Sequence, residues 1–276
     1  MVRRFVLLDK NLELVDCWKR SLGDLECVNI CTNGLDRVDF SAMGVDVGIG
    51  TKKAAVVSPG NSFGWLGGGF DLALRQFFGG PSFESFFRHQ LARNGGGGGA
   101  GYKPVGTATT VELGPEWRRN GITRIIHVPT VVAPSHKIYD PLRPMETGYG
   151  LVFNVLYNAL VHTPEDTHVL VVPGLGTGYA GVPVEVCSKS MALAIRLFLL
   201  DSKTMSQELK NVVIMRFLGY RYDAFVSQEC VRECQKLGID FDRLLAYDAR
   251  IDPIENLLPS GHGGDQNKSQ AEGNGS

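Results

Sequence analysis

The chain has 276 residues, 43% of them hydrophobic, and its 28 Lys and Arg against 29 Asp and Glu give a formal net charge of −1. This length allows one large domain or two small ones with a sizeable core, and the charge balance supplies no overall basic excess to hold nucleic acid. No apolar run reaches the roughly 20 residues of a membrane span, so no membrane partner is expected.

In chain order, residues 3–8 (RRFVLL) predict a strand, residues 11–22 a helix with Leu12, Val15, Trp18 and Leu22 on one side, and residues 25–30 a second strand. Residues 35–53 hold Asp36, Asp39, Asp46 and several glycines. Residues 54–57 (AAVV) are too short for a globular helix and stop at Ser58-Pro59-Gly60, which reads as a buried parallel strand ending in a turn. Asn61, Ser62 and the consecutive glycines Gly67, Gly68 and Gly69 follow, and residues 71–78 space their apolar groups as one helix face. Residues 82–93 predict another helix, and the tract 94–101 (NGGGGGAG) reads as an insertion without regular structure.

Further on, residues 105–113 and 122–132 predict strands, the latter with His127 in its middle, and residues 149–162 a helix. Residues 168–173 (HVLVVP) predict a strand leading into a second glycine loop, 174–181, and a helix over 184–200 with Pro183 and Glu185 suited to its first turn. Residues 211–217 (NVVIMRF) predict a last strand, residues 223–237 a helix, and the polar stretch from 259 onward a disordered tail. Alternating strands and helices predict an α/β fold, a mixed and mostly parallel sheet between helices on both faces, in one domain over residues 1–250.

Two strand-loop-helix units thus each present a glycine loop at a helix N-terminus, where free backbone N–H groups receive anions; two loops facing one ligand would suit a diphosphate. Several features carry more than one reading. Gly60-Asn61-Ser62-Phe63-Gly64 fits the G-x-S-x-G nucleophile elbow, but no helix stands directly behind the serine. Residues 176–181 fit G-x-G-x-x-G with Asp201 beyond, but lie late in the chain for a dinucleotide fingerprint. Cys27 with Cys31 and Cys230 with Cys234 are spaced too loosely for a zinc knuckle, and no metal or cofactor is expected. With no C-x-x-C pair and no signal peptide, the expectation is reduced thiols in the cytoplasm or nucleus.

The two loops resemble those of the macro domain family, whose members bind ADP-ribose. Ser58-Pro59-Gly60-Asn61 with Gly67-Gly68-Gly69-Phe70-Asp71 is similar to the family's N-A-A-N and GGG segment, and residues 176–183 (GTGYAGVP) to its S-T-G-x-Y-G-x-P loop. The likeness extends over roughly residues 4–245 and leans toward fungal ADP-ribose 1''-phosphate phosphatases, because Asp71 and His127 are both present. It implies that ADP-ribose derivatives, and ADP-ribosylated proteins with them, are the partners. Ser62, Gly67, Gly68, Gly69, Phe70, Gly174, Gly176, Thr177, Gly178, Tyr179, Ala180 and Gly181 would line the ligand. It further implies removal of the 1''-phosphate, with Asn61 orienting the distal ribose, Asp71 as general base and His127 as general acid. A non-catalytic reader and a hydrolase of ADP-ribosyl-protein esters are the alternatives. Four of these residues keep structural readings as well: Asp71 as a helix N-cap, His127 and Phe217 as core, and Asp46 as a solvated loop aspartate. For the last two, the functional readings are stacking on adenine and binding its amino group.

Overall fold

The computed structural model describes residue 2 and residues 4–45, 52–94 and 101–260. Asp46, most of the glycine tract and the tail from 261 lie outside the described residues. The sequence places one domain over 1–250; by packing, the chain gathers into two compact units, residues 1–199 and 200–276.

In the first unit the strands are β1 (Arg4–Leu8), β2 (Val28–Cys31), β3 (Lys53–Ser58), β4 (Thr109–Glu112), β5 (Ile122–His127) and β6 (Thr167–Pro173). Among the described residues they form one six-stranded sheet in the order β2-β1-β6-β3-β5-β4. Every neighbouring pair is parallel except β4 with β5. The mixed, mostly parallel sheet expected from the sequence is therefore present, and most of its strands read as continuous apolar runs because both faces are covered.

Strand alternation assigns the faces. Val6, Leu8, Ala54, Val56, Val169 and Val171 pack in one core cluster with Leu74 and Phe78 of α2 (Gly69–Phe78) and Phe83, Phe87 and Leu91 of α3 (Pro81–Arg93). Phe5, which points the other way from β1, meets Phe198 of α5 (Val184–Leu199) edge to face at 6.4 Å. Helices α1 (Leu12–Leu22) and α4 (Gly150–Val161) pack against α5. Asn11 starts α1 by accepting a hydrogen bond from the Glu13 amide, the arrangement that satisfies a first-turn donor.

The strand expected over 122–132 ends at His127; beyond it the Val128 amide still donates to the Ser58 carbonyl, and Val131 forms an isolated parallel bridge to Asn61. Pro129 lacks the N–H that a longer strand would need.

The second unit carries α6 (Gln207–Phe217), α7 (Gln228–Leu237) and α8 (Phe241–Ala246). Residues 211–217, expected as a strand, are helical. The buried positions Leu209, Val212, Val213, Arg216 and Phe217 recur at three- and four-residue spacing, and Ser206 caps the start by accepting from the Leu209 amide. Reading only from Asn211 hid that period, because its first member and its cap lie upstream.

Candidate functional site

β3 and β6 are neighbours running the same way, with Val56 opposite Val171, so the loops that leave them emerge at one edge of the sheet. There the two glycine segments meet. A methyl group on Gly68 would lie 3.0 Å from Cε2 of Tyr179 and 3.2 Å from its hydroxyl. Gly67 and Gly69 have open space where a side chain would stand, and Gly69, the first residue of α2, holds φ +53°, the left-handed region that favours glycine. Exposed backbone at a helix N-terminus stands near an exposed tyrosine from the other loop, an arrangement chemically suited to an anion.

The second loop is anchored from β1. Asp9, just past the end of β1, accepts the Gly174 amide at 3.1 Å, and a methyl on Gly174 would strike the same carboxylate at 2.5 Å. Gly176 and Gly181 both adopt positive φ, and Gly181 runs against the Lys137 side chain. The Ala180 carbonyl accepts the amides of Ile138 and Tyr139, which ties residues 138–139 along the loop.

Beneath the first loop lies a chain of buried polar groups. Ser58, the last residue of β3, faces His127, the last of β5, in register. Its Oγ is 2.9 Å from Asp71 Oδ1 and 3.1 Å from His127 Nδ1, and His127 Nε2 is 3.1 Å from the Asn61 carbonyl oxygen. Ser58 and His127 are wholly buried and Asp71 is 7% exposed. Burial pushes the Asp71 carboxyl up to about 7 against the opposing hydrogen bond from Ser58. Burial also lowers His127 to about 4, with the positive charge of Lys103 acting in the same direction. The chain approaches Asp71 closely enough that Gly60 has no room for a side chain; a methyl there would lie 2.1 Å from Asp71 Oδ2.

The family model described as Macro-like domain matches residues 17–264 of this sequence. The chain belongs to the macro-like domain family. A protein of Aquifex aeolicus (strain VF5), described only as uncharacterized, is 28% identical over 144 residues, 52% of this chain and 73% of its own. Among solved structures, the macrodomain of Mycobacterium tuberculosis DarG is 18% identical with a TM-score of 0.42, covering 60% of this chain and 88% of that one. The Oceanobacillus iheyensis macrodomain with ADP is 20% identical with a TM-score of 0.40, covering 52% and 70%.

In this macro-like chain the fold gathers Gly67, Gly68, Gly69, Gly174, Gly176, Thr177, Gly178, Tyr179 and Gly181 at one sheet edge, with Asp71 in the first turn of α2. Phe70 is half-buried and packs on the core cluster. Asp71 lies inside the helix and caps nothing; Gly68 occupies the cap position.

Five residues expected at the ligand are placed otherwise. Ser62 is fully buried in a turn, its amide bonded to the carbonyls of Val131 and Val132, and so cannot act as an exposed nucleophile. Ala180 is 1% exposed and contributes only its tethering carbonyl. Asn61 spends its side-chain amide inside its own turn, donating to the Trp65 carbonyl at 2.7 Å and accepting from the amides of Phe63 and Trp65. His127 has a hydrogen-bond partner at each ring nitrogen and no exposed surface, so it cannot reach a departing ribose oxygen as a general acid. Phe217 is fully buried in the helical second unit with its ring 6.4 Å from that of Tyr247, leaving no face for an adenine. Asp46 lies outside the described residues.

Ser58, Asp9 and Lys137 escaped the sequence reading. Ser58 had a signal, since it occupies the first position of the S-P-G-N segment, where the family pattern has an asparagine; Asp9 and Lys137 had none, because each joins the second loop from far away in the chain. The second unit has a cavity of about 660 Å³ lined by residues including Asn211, Met215, Tyr220 and Phe225. Its lining holds one carboxylate, Glu208, and no basic side chain, a poor match for a phosphorylated ligand.

Proposed function

We propose that this macro-like chain binds ADP-ribose derivatives between residues 67–69 and 174–181 and hydrolyses the phosphate monoester of ADP-ribose 1''-phosphate. The closeness of Gly68 to Tyr179, such that an added methyl would stand 3.0 Å from the ring, carries the binding reading, because segments this near one another would both reach one diphosphate. The likeness of those segments to ADP-ribose-binding macro domains supplies the ligand class. The backbone N–H groups at the start of α2 would hold phosphate oxygens, and the exposed Tyr179 would cover the adjoining ribose.

Asp71 supports the hydrolytic reading. With its carboxyl near 7, both protonation states are populated at neutral pH, which suits proton transfer in both directions. Water attacks phosphorus and gives a proton to the Asp71 carboxylate; as the bond from phosphorus to the anomeric oxygen breaks, that oxygen takes the proton back. Such transfers contribute about 10² to 10⁴ in rate.

A non-catalytic reader, with ADP-ribosylated protein as partner, is the second reading. It is favoured by the engagement of the Asn61 amide and both His127 nitrogens within the protein.

Calorimetric titration with ADP-ribose followed by assay of phosphate released from ADP-ribose 1''-phosphate tests both. Binding with release that drops at least about 100-fold in Asp71→Asn supports the phosphatase. Binding without release supports the reader, and absence of binding overturns the site.

A further inference from the structure

The hydrogen bonds at Ser58 cannot all be made with an ionised Asp71 and a neutral His127. A carbonyl oxygen only accepts, so His127 Nε2, 3.1 Å from the Asn61 carbonyl, must carry a proton and donate it. A hydroxyl has one proton to give. Ser58 Oγ therefore donates either to Asp71 Oδ1 or to His127 Nδ1, and the group left over must donate to Ser58 or face it lone pair to lone pair.

Two arrangements satisfy every group. In one, a neutral Asp71 donates to Ser58 and Ser58 donates to Nδ1. In the other, a protonated His127 donates from Nδ1 to Ser58 and Ser58 donates to an ionised Asp71. The two carry the same net charge and differ in the position of one proton. Separating charge inside a buried cluster is costly, so the neutral arrangement is favoured.

We propose that Ser58 is a positioning residue that links Asp71 to His127 through one shared hydroxyl proton, so that the protonation state of the acid of the candidate site is registered at the imidazole. The inference rests on the reading of Asp71 as the group that handles the reacting proton, but the arrangement of the three side chains stands apart from any ligand.

The frame around the cluster keeps its geometry. Ser58 and His127 are opposed in adjacent strands, and the Val128 amide donates to the Ser58 carbonyl at 2.9 Å. From α3 the uncharged Phe87 ring meets His127 edge to face at 5.4 Å. The segment before β4 brings Lys103, the charged group that bears on His127, and its backbone amide is tied to the Ser62 carbonyl at 2.8 Å. Beside Asp71 the chain contributes Gly60, and among the described residues Ser58 is the side chain that bonds the carboxyl.

Long-range proton–nitrogen NMR on the ligand-free full chain tests this. The expected result is a His127 protonated at Nε2 and accepting at Nδ1, whose Nδ1 resonance moves as the pH crosses about 7, when Asp71 ionises and draws the Ser58 proton away. In Asp71→Asn the amide donates to Ser58 permanently, so Nδ1 should stay at the wild-type low-pH position across the whole range. In Ser58→Ala, Nδ1 should sit at an unbonded position and stay there. A purely structural role for Ser58 would move none of these pH profiles.

A tautomer protonated at Nδ1 alone, an Nδ1 resonance in wild type that stays flat across pH 7, or an unchanged inflection in Ser58→Ala would each overturn the proposal. The wild-type spectrum decides even if a variant fails to fold. Failure of ADP-ribose to bind would overturn the proposed function and leave this result standing.

Discussion

Asp71 and His127 do not touch, yet they share one hydroxyl: Ser58 Oγ stands 2.9 Å from the carboxyl of the first and 3.1 Å from the imidazole of the second. That oxygen is the link between the acid and the base, and both groups are shifted toward their neutral forms by burial.

The shifts give the pH dependence of stability a definite shape. The folded chain keeps a proton on Asp71 up to about pH 7, whereas the unfolded chain releases it near pH 4, so this group's contribution falls as pH rises through that window. The folded chain leaves His127 uncharged down to about pH 4, whereas the unfolded chain charges it below about pH 6.5, so its contribution rises with pH over nearly the same window. The two slopes oppose each other, each on the order of 3 kcal/mol across the window. Denaturant titrations at about pH 4.5 and about pH 6.5 should show little change in wild type, stability gained with pH in Asp71→Asn, and stability lost with pH in His127→Gln. Parallel slopes in all three proteins would refute the compensation.

Gly68 and Gly69 are needed for different reasons, and alanine substitutions separate them. Gly68 has extended backbone with φ −156°, so its alanine variant costs little stability; its methyl instead displaces Tyr179 and should weaken ADP-ribose binding about 10-fold, near 1.4 kcal/mol. Gly69 has open space but φ +53°, so its alanine variant should lose about 1–2 kcal/mol of stability. Calorimetry with ADP-ribose and thermal unfolding read the two effects, and equal behaviour of the two variants would contradict this division.

Asp9 holds the second loop through the Gly174 amide and also accepts the Asn11 amide at 2.8 Å. Asp9→Ala should cost about 1–3 kcal/mol, because two backbone donors lose their acceptor. Hydrogen exchange should then accelerate at Gly174 and its neighbours and stay unchanged at the centre of β3. Unchanged protection at Gly174 would mean that the loop is held by something else.

Phe217 is a core residue of the second unit, fully buried beside Tyr247. Phe217→Ala should cost about 3–5 kcal/mol of stability while leaving ADP-ribose affinity unchanged in protein that remains folded. A loss of affinity without a loss of stability would restore the adenine-stacking role.

Much of the site was legible because its main elements are local. A short apolar strand, a glycine segment and an amphipathic helix in succession define a phosphate-type loop without reference to the rest of the chain, and both such units stand where the sequence placed them. Residues 211–217 carry a strand-like pattern and yet are helical, because Ser206 and Leu209, which supply the cap and the first position of the helical period, lie upstream of that run.

From the sequence alone came the alternation of strands and helices, the two glycine loops, and the likeness to macro domains, all properties of residues close together in the chain. Only the tertiary structure decided that Gly68 lies against Tyr179, that Asp9 holds Gly174, and that Ser58, Asp71 and His127 share a buried chain of hydrogen bonds. The physical reason is that hydrogen-bond satisfaction and desolvation depend on what surrounds a group in space. Nothing near His127 in the sequence reveals that both of its nitrogens are occupied and that its ring is wholly buried.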